Sequence, residues 1–173
     1  MSFSLAELWP VLEIALAMAL GGTIGFERER ADKPAGLRTH MLLAGAGAML
    51  VGLGEVLIAD FADERFGSLI RSDPLRIFEA IVTGIGILAA GTIFRRSDNH
   101  VEGLTTAASL LFVGGIGIAV AIGQLAVAVA ATALALVALR MLRLIERRKP
   151  EQHAGERGAA GSVQQEPGDQ RLG

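Results

Sequence analysis

The stretch Gly21–His40, GGTIGFERERADKPAGLRTH, interrupts two long apolar blocks of the sequence with a dense set of charges. Eight of its twenty residues are ionisable when His40 is counted, and apolar residues resume at Met41. Ionisable side chains are costly in hydrocarbon and stable at the headgroups, so these charges are expected to lie at one face of a membrane. That face is where we expect the protein to act.

The composition indicates a membrane protein. Apolar residues make up 51% of the 173 residues and charged residues only 20%, and the apolar residues occur in long blocks. A helix needs roughly 20 residues to cross the hydrocarbon core of a bilayer. Five blocks approach that length, and the predicted spans are 8–26, 41–58, 77–94, 104–122 and 125–144. The predicted fold is therefore all-α, a polytopic bundle of five transmembrane helices.

The five spans are expected to form one transmembrane domain, residues 1–149, followed by a tail, residues 150–173. The tail has no aromatic residue and is rich in Gly, Gln and Glu, a composition that buries too little apolar surface to fold. A disordered cytoplasmic tail is therefore expected. The sequence also lacks cysteine, which excludes disulfides, a thiol nucleophile and cysteine metal sites.

The distribution of Lys and Arg predicts the orientation. Basic residues are enriched on the cytoplasmic side of membrane proteins. With five crossings, the first loop, the third loop and the C-terminus share one side, and that side holds most of the basic residues. They are Arg28, Arg30, Lys33, Arg38, Arg95, Arg96, Arg140, Arg143, Arg147, Arg148 and Lys149. The N-terminus is therefore expected outside and the C-terminus inside.

Local signals predict several helix ends. Asp73 is expected to cap the third span, with Pro74 at its first helical position. Thr105 or Thr106 can cap the fourth span. Only Gly123 and one further residue separate the fourth span from the fifth, which predicts a tight turn between two helices.

Five motifs follow one another along the chain. They are GGTIGFERE at 21–29, KPAGLRTH at 33–40, DPLR at 73–76, GIGILAAGTI at 84–93 and VEGLTTAASL at 101–110. Their order and spacing resemble the signature of the MgtC/SapB family of bacterial inner-membrane proteins. One departure is Leu111, which stands where that family usually has Trp.

The resemblance implies a multi-pass protein of the bacterial inner (plasma) membrane, associated with growth in low magnesium and with survival of pathogens in macrophages. It also implies regulation of another membrane machine, such as the F-type ATP synthase, as is thought for some members. Longer members carry a soluble C-terminal domain, so this sequence is expected to be a short form without it. The sequence has no phosphate-binding G-x-x-x-x-G-K-[ST] loop, which argues against an ATPase.

Polar residues of the motifs are expected to meet at the cytoplasmic ends of the helices. This signature cluster consists of Glu27, Arg28, Glu29, Arg38, Thr39, His40, Thr92, Thr105 and Thr106. For Glu27 and Arg38, an ion pair that fixes the loop and a binding role both remain open. His40 has no second His or Cys at ligand spacing, so a structural role is expected for it.

Glycines of the motifs are expected to allow close packing between helices. The candidates are Gly21, Gly25, Gly84, Gly86 and Gly91.

Three carboxylates, Glu13, Glu55 and Glu79, lie inside or at the edge of predicted spans. The predicted topology places all three in the outer third of the membrane, on small-residue helix faces. Ionisable residues at this depth need a partner. They could hold Mg²⁺ through retained waters, or they could be protonated or reach interfacial water.

Two functions remain open from the sequence. The first is a non-enzymatic regulator in magnesium homeostasis and virulence-type stress adaptation, whose partners are the lipid bilayer and another membrane protein or a second copy. The second is a Mg²⁺ transporter or channel that uses Glu13, Glu55 and Glu79. The middle of the spans offers little polar surface beyond Thr83, which favours the regulator. Neither an enzyme, a nucleic-acid partner nor a cofactor other than Mg²⁺ is expected.

Overall fold

The computed structural model describes residues 5–61, 74–95 and 101–146, with side chains over 8–59, 75–95 and 101–141. These residues form five α-helices and one short β-hairpin. In chain order the elements are α1 (Leu5–Arg30), α2 (Leu37–Phe61), α3 (Pro74–Ala90), β1 (Phe94–Arg95), β2 (Val101–Glu102), α4 (Leu104–Ala121) and α5 (Leu125–Glu146). The predicted helical architecture is confirmed, with a small β element added.

Three helices of the described part of the chain are long and apolar enough to cross a membrane. They are Leu8–Arg30, Leu37–Ala59 and Leu104–Ala121. The segment Leu125–Met141 of α5 is apolar but shorter. Three of the five predicted spans thus have the required length and composition, whereas spanning by α3 and α5 and the orientation stay predictions.

The first connection is shorter than the sequence indicated, because α1 continues beyond Phe26 to Arg30. Glu and Arg are good helix formers, so the charged residues extend the helix by one turn. Helix α1 then ends in a Schellman motif: Lys33 N–H donates to Arg28 O and Asp32 N–H to Glu29 O, both at 3.1 Å. Asp32 has the left-handed φ of 52° that this motif requires.

The third helix is shorter than its predicted span of 77–94, since it ends at Ala90. Two tight turn bonds follow, from Thr92 N–H to Ala89 O and from Ile93 N–H to Ala90 O, each 3.0 Å long. The chain then enters an antiparallel pair in which Phe94 faces Glu102 and Arg95 faces Val101. Residues near Arg95 therefore belong to a hairpin and not to a helix.

The caps of α4 differ from the prediction. Its N-cap is Gly103, with φ 91° and no side-chain cap, so neither Thr105 nor Thr106 fills that role. A Cβ at Gly103 would collide with Thr92 O, which leaves no room for a Thr or Ser there.

Two other predicted boundaries are confirmed. Pro74 is the first residue of α3, and a tight turn with Gly123 at φ 73° joins α4 to α5. The predicted cap Asp73, the domain end at 149 and the tail 150–173 lie outside the described residues.

Helices α2 and α4 form the centre of the bundle. They pack against each other, and each also packs against α1 and α3. The buried residues of α4 include Leu110, Val113, Ile116 and Val120. One structural unit extends over Met1–Ala138, and a second over Leu139–Gly173. Of the second unit, the described part is the end of α5.

Glycine gives the closest contacts between helices, in part where the motifs predicted it. A Cβ on Gly21 would lie 2.7 Å from Ala44 Cβ and 2.7 Å from His40 O. One on Gly25 would lie 2.8 Å from His40 Cβ. On α4, Gly117 lies against the Ala44 backbone. Helices α1 and α4 can therefore approach α2 only because side chains are absent at these points.

The other motif glycines do not pack closely against a second helix of the described chain. Within the described residues, a Cβ on Gly84 or Gly86 would meet nothing within 4 Å. Gly91 lies beyond the end of α3, where its nearest neighbours are carbonyls of the preceding turn, Leu88 O at 3.3 Å and Ile87 O at 3.8 Å. Gly84 and Gly86 are two residues apart and therefore lie on different sides of α3, and among the described residues no other helix reaches either of them.

The glycine contacts predict opposite effects of one substitution at two sites. Gly21→Ala should lower the free energy of unfolding by about 1–3 kcal/mol, because the added methyl forces α1 away from α2. Gly52→Ala should leave it unchanged or raise it by about 0.5–1 kcal/mol, since Gly52 has open space around it and Ala favours a helix. Unfolding of both variants in detergent measures the difference, and equal effects would contradict this packing.

Candidate functional site

Four helix ends meet where the motifs of the sequence converge. The loop residue Ala35 is buried with Ala89 at the end of α3 and with Ala107 and Leu110 at the start of α4. Leu43 of α2 packs against this group. The end of α1, the start of α2, the end of α3 and the start of α4 therefore lie at the same end of the bundle, as the signature cluster predicted.

His40 is fully buried at this end and contacts the loop before α2, helix α4 and helix α1. Its Nδ1 lies 2.9 Å from Gly36 O, the carbonyl that precedes α2. Its Nε2 lies 3.1 Å from Ser109 Oγ on α4. The backbone and Cβ of the same residue fit against Gly21 and Gly25 of α1. The structural role predicted for His40 is consistent with these contacts.

Ser109 is the partner that sequence reasoning missed. A carbonyl only accepts hydrogen bonds, so His40 Nδ1 carries a proton toward Gly36. The Ser109 hydroxyl also lies 2.8 Å from Thr106 O, and its single proton serves either this carbonyl or an unprotonated Nε2. The missed signal was the three-residue spacing of Thr106 and Ser109, which places both on the buried face of α4.

A serine hydroxyl against a histidine ring is also the geometry of a nucleophile with its base. Here His40 is completely buried and Ser109 is 7% exposed. The recess described below is lined by neither of them. Both side chains thus lie in the interior of the described residues, where their contact joins α2 to α4.

A buried ion pair lies next to this link. The Arg28 guanidinium contacts Glu27 Oε2 through both Nε and Nη2, each at 2.7 Å. Both side chains are almost completely buried. Of the two roles left open for Glu27 and Arg38, the structure does not form the ion pair between them: Arg38 is exposed, and the neighbouring Arg28 pairs with the Glu27 carboxylate instead.

The ion pair leaves one acceptor unused. Glu27 Oε1 is buried and has no hydrogen-bond partner within the described residues. Arg28 Nε and Nη2 both contact Oε2, so this pair lacks the two parallel bonds of a bidentate arginine–carboxylate contact.

Glu29 stabilises the start of α2 from the end of α1. Its Oε2 accepts a 2.8 Å hydrogen bond from Leu37 N–H, one of the amides that a helix start leaves unpaired. A Cβ on Gly36 would lie 2.8 Å from the same oxygen. A larger residue at position 36 would therefore shift this carboxylate away from the Leu37 amide.

The remaining members of the signature cluster divide into buried and exposed residues. Thr106 is buried, and Thr92 is half-buried with its hydroxyl donating to Ala89 O at 2.7 Å. Thr39 and Thr105 are exposed, as is Arg38. The structure thus brings Glu27, Arg28, His40 and Thr106 into the interior of this end.

The three carboxylates predicted as a cation site do not form a group. Glu55 and Glu79 are exposed and Glu13 is half-buried. Within the described residues, no three His, Cys, Asp or Glu side chains lie close enough to hold a metal ion. The described residues therefore do not bring these three carboxylates together as one cation site.

The ion pair predicts a large effect of removing one partner. Arg28→Met should lower the free energy of unfolding by about 3–5 kcal/mol, because it leaves the Glu27 carboxylate buried without compensation. The double variant Glu27→Gln with Arg28→Met should be more stable than this single variant. The control Arg38→Met removes an exposed charge and should change stability by less than about 0.5 kcal/mol. Equal effects of Arg28→Met and Arg38→Met on unfolding in detergent would contradict the buried pair.

Comparison with known proteins places these motifs in a family. The profile described as "MgtC family" matches residues 14–148. The chain is 32% identical over 140 residues to Protein SapB of Bacillus subtilis, which covers 80% of this chain and 58% of that protein. It is 37% identical over 130 residues to Protein MgtC of Brucella abortus, covering 75% of this chain and 50% of the relative.

A third relative is the "Putative magnesium transporter YhiD" of Escherichia coli, 37% identical over 114 residues, or 66% of this chain and 51% of that protein. The chain spans about half the length of the curated relatives it matches. No solved structure gives a significant match. The family profile covers more than half of the chain and includes the ion pair, the histidine and the glycines of the interior, and the chain therefore belongs to the MgtC family.

Proposed function

We propose that this chain is a multi-pass protein of the bacterial inner membrane that serves magnesium homeostasis and stress adaptation of the virulence type. It acts without catalysis, by binding and regulating another membrane protein. Support for the magnesium link comes from the family and from the relative named as a putative magnesium transporter. Support for the membrane comes from the three long apolar helices.

The small number of polar side chains within the spans favours a regulator over a transporter. Thr83 donates to Glu79 O at 2.6 Å and Thr132 to Ala128 O at 2.8 Å, and their oxygens keep lone pairs that can face an ion. An ion path needs a series of such oxygens in place of water. The middle of the predicted spans offers few polar side chains to build that series.

An open apolar recess is the second feature that supports a regulator. It has a volume of about 480 Å³ and is lined by apolar residues of α3, α4 and α5, among them Ile85, Phe112, Ile116 and Val127. Membrane helices associate through shape and close packing, since lipid and side chains are equally apolar. A recess of this kind suits a helix of a partner protein better than a hydrated cation.

The alternative is a Mg²⁺ transporter that uses Glu13, Glu55 and Glu79. The name of the YhiD relative favours it. Against it, Glu55 and Glu79 are exposed, and the described residues form no cluster of three metal-ligating side chains.

Ion flux in proteoliposomes separates the two proposals. The purified protein, reconstituted alone with a Mg²⁺-sensitive dye inside the vesicles, should give no flux above that of empty vesicles. The same protein, expressed in a strain that lacks its own family member, should restore growth in low magnesium. A reconstituted magnesium channel serves as the positive control.

Flux that disappears in the Glu13→Gln, Glu55→Gln, Glu79→Gln triple variant would contradict the regulator and support the transporter. Glu102→Gln is the matched control, because this carboxylate belongs to the hairpin and lies outside the helices.

A further inference from the structure

Helix α3 exposes two kinds of side chain. Ile81 and Ile85 are buried, whereas Leu75, Val82 and Leu88 are exposed apolar residues of the kind that face lipid. The other exposed residues of α3 are mostly charged, polar or small.

These residues form one surface, which we call the open face of α3. At 3.6 residues per turn, they lie along one side of the helix, which begins next to the buried Ile81 and continues away from Ile85. The open face consists of Arg76, Glu79, Ala80, Thr83, Gly84 and Ile87, all of them exposed. Among the described residues, no other helix buries any of the six.

Lipid is a poor occupant for the open face. A carboxylate that faces hydrocarbon is costly, and Glu79 lies one turn inside α3. Gly84 destabilises a helix relative to Ala and, with nothing within 4 Å of its missing Cβ, has no packing reason within a single copy. Gly84 is explained when the backbone of another helix approaches this face, and Glu79 when that helix carries a cation at the same depth.

We propose that a second copy of this chain packs against the open face of α3 around a two-fold axis parallel to the membrane normal. This symmetry keeps both copies in the same membrane orientation and makes the interface self-complementary. The inference rests on the five-span topology given above, in which α3 crosses the membrane.

The charges of the open face identify the partner as a second copy. Arg76 and Glu79 are three residues apart, roughly 4.5 Å along the helix axis. When two α3 helices run in parallel, Arg76 of one copy reaches Glu79 of the second copy, and the reverse pair forms by symmetry. Ala80 and Gly84, four residues apart, then lie at the crossing, with the small-x-x-x-small spacing that lets two membrane helices approach closely.

Disulfide trapping in membranes tests this contact directly, because the natural sequence contains no cysteine. Single variants Ala80→Cys and Ile87→Cys should yield dimers of twice the chain mass under oxidising conditions. Leu53→Cys on α2 and Leu134→Cys on α5 are matched controls, since these residues are 55% and 68% exposed but lie outside the open face. Open-face variants that cross-link no better than the controls, or only to a protein of another mass, would overturn the proposal.

A second set of variants tests the glycine and the charges. In the Ile87→Cys background, Gly84→Leu should abolish the dimer, whereas Gly52→Leu, at an equally open glycine, should preserve it. Arg76→Glu and Glu79→Arg should each reduce the dimer, and the two together should restore it. A dimer that survives Gly84→Leu would overturn the contact. These measurements need neither Mg²⁺ nor a partner protein, so their failure is distinct from failure of the proposed function.

Discussion

The buried histidine at the start of α2 is the constraint on which the rest of this bundle depends. A polar ring inside a membrane protein must have hydrogen-bond partners, because no water replaces them. His40 finds them in the carbonyl of Gly36 and the hydroxyl of Ser109. These partners fix where the loop ends and how α4 is placed against α2. Glycines of α1 complete the arrangement, because only they leave room for the histidine backbone.

The polar contacts at the motif end of the bundle and the apolar packing of its other helix faces have different roles. At the motif end, the Glu27–Arg28 pair and the Glu29 contact with Leu37 N–H set the geometry of the first loop. Away from that end, α4 packs through Val113, Ile116 and Val120, with no charged residue in its buried set. The chain thus combines a rigid polar end with apolar helix faces that are open to lipid or to other proteins. This division suits a protein that is recognised by partners within the membrane.

Hydropathy predicted the helical class and the three long spans, because the length of an apolar block is a direct physical requirement of the bilayer. It misplaced helix ends. The charged residues after Phe26 continue α1, and the apolar residues Ile93 and Phe94 leave α3 for a hairpin. A hydropathy pattern indicates whether a residue is more stable in hydrocarbon or in water. Helix ends depend instead on backbone hydrogen bonds in the following turn, such as those of Asp32 and Thr92.

The sequence predicted where the candidate site lies but not which side chains contact each other in it. The motifs brought Glu27, Arg28 and His40 to one end, as expected. The choice of Arg28 over Arg38 depends on which side chain is buried, and the bond between His40 and Ser109 joins residues 69 positions apart. The sequence was equally unable to separate the glycines. Gly21 and Gly86 have similar sequence surroundings, yet within the described residues Gly21 contacts another helix and Gly86 does not. Contacts of this kind follow from tertiary packing, which a single sequence does not specify.

The central claim of this account is that the buried polar end lies at the cytoplasmic face of a five-span bundle. Topology reporters test it most directly, with an alkaline phosphatase and a fluorescent protein fused in turn after Lys149 and within residues 62–73. The account predicts a cytoplasmic signal after Lys149 and a periplasmic signal between α2 and α3. Signals on the same side of the membrane at the two sites would contradict the five-span arrangement, and exchanged signals would place the polar end outside.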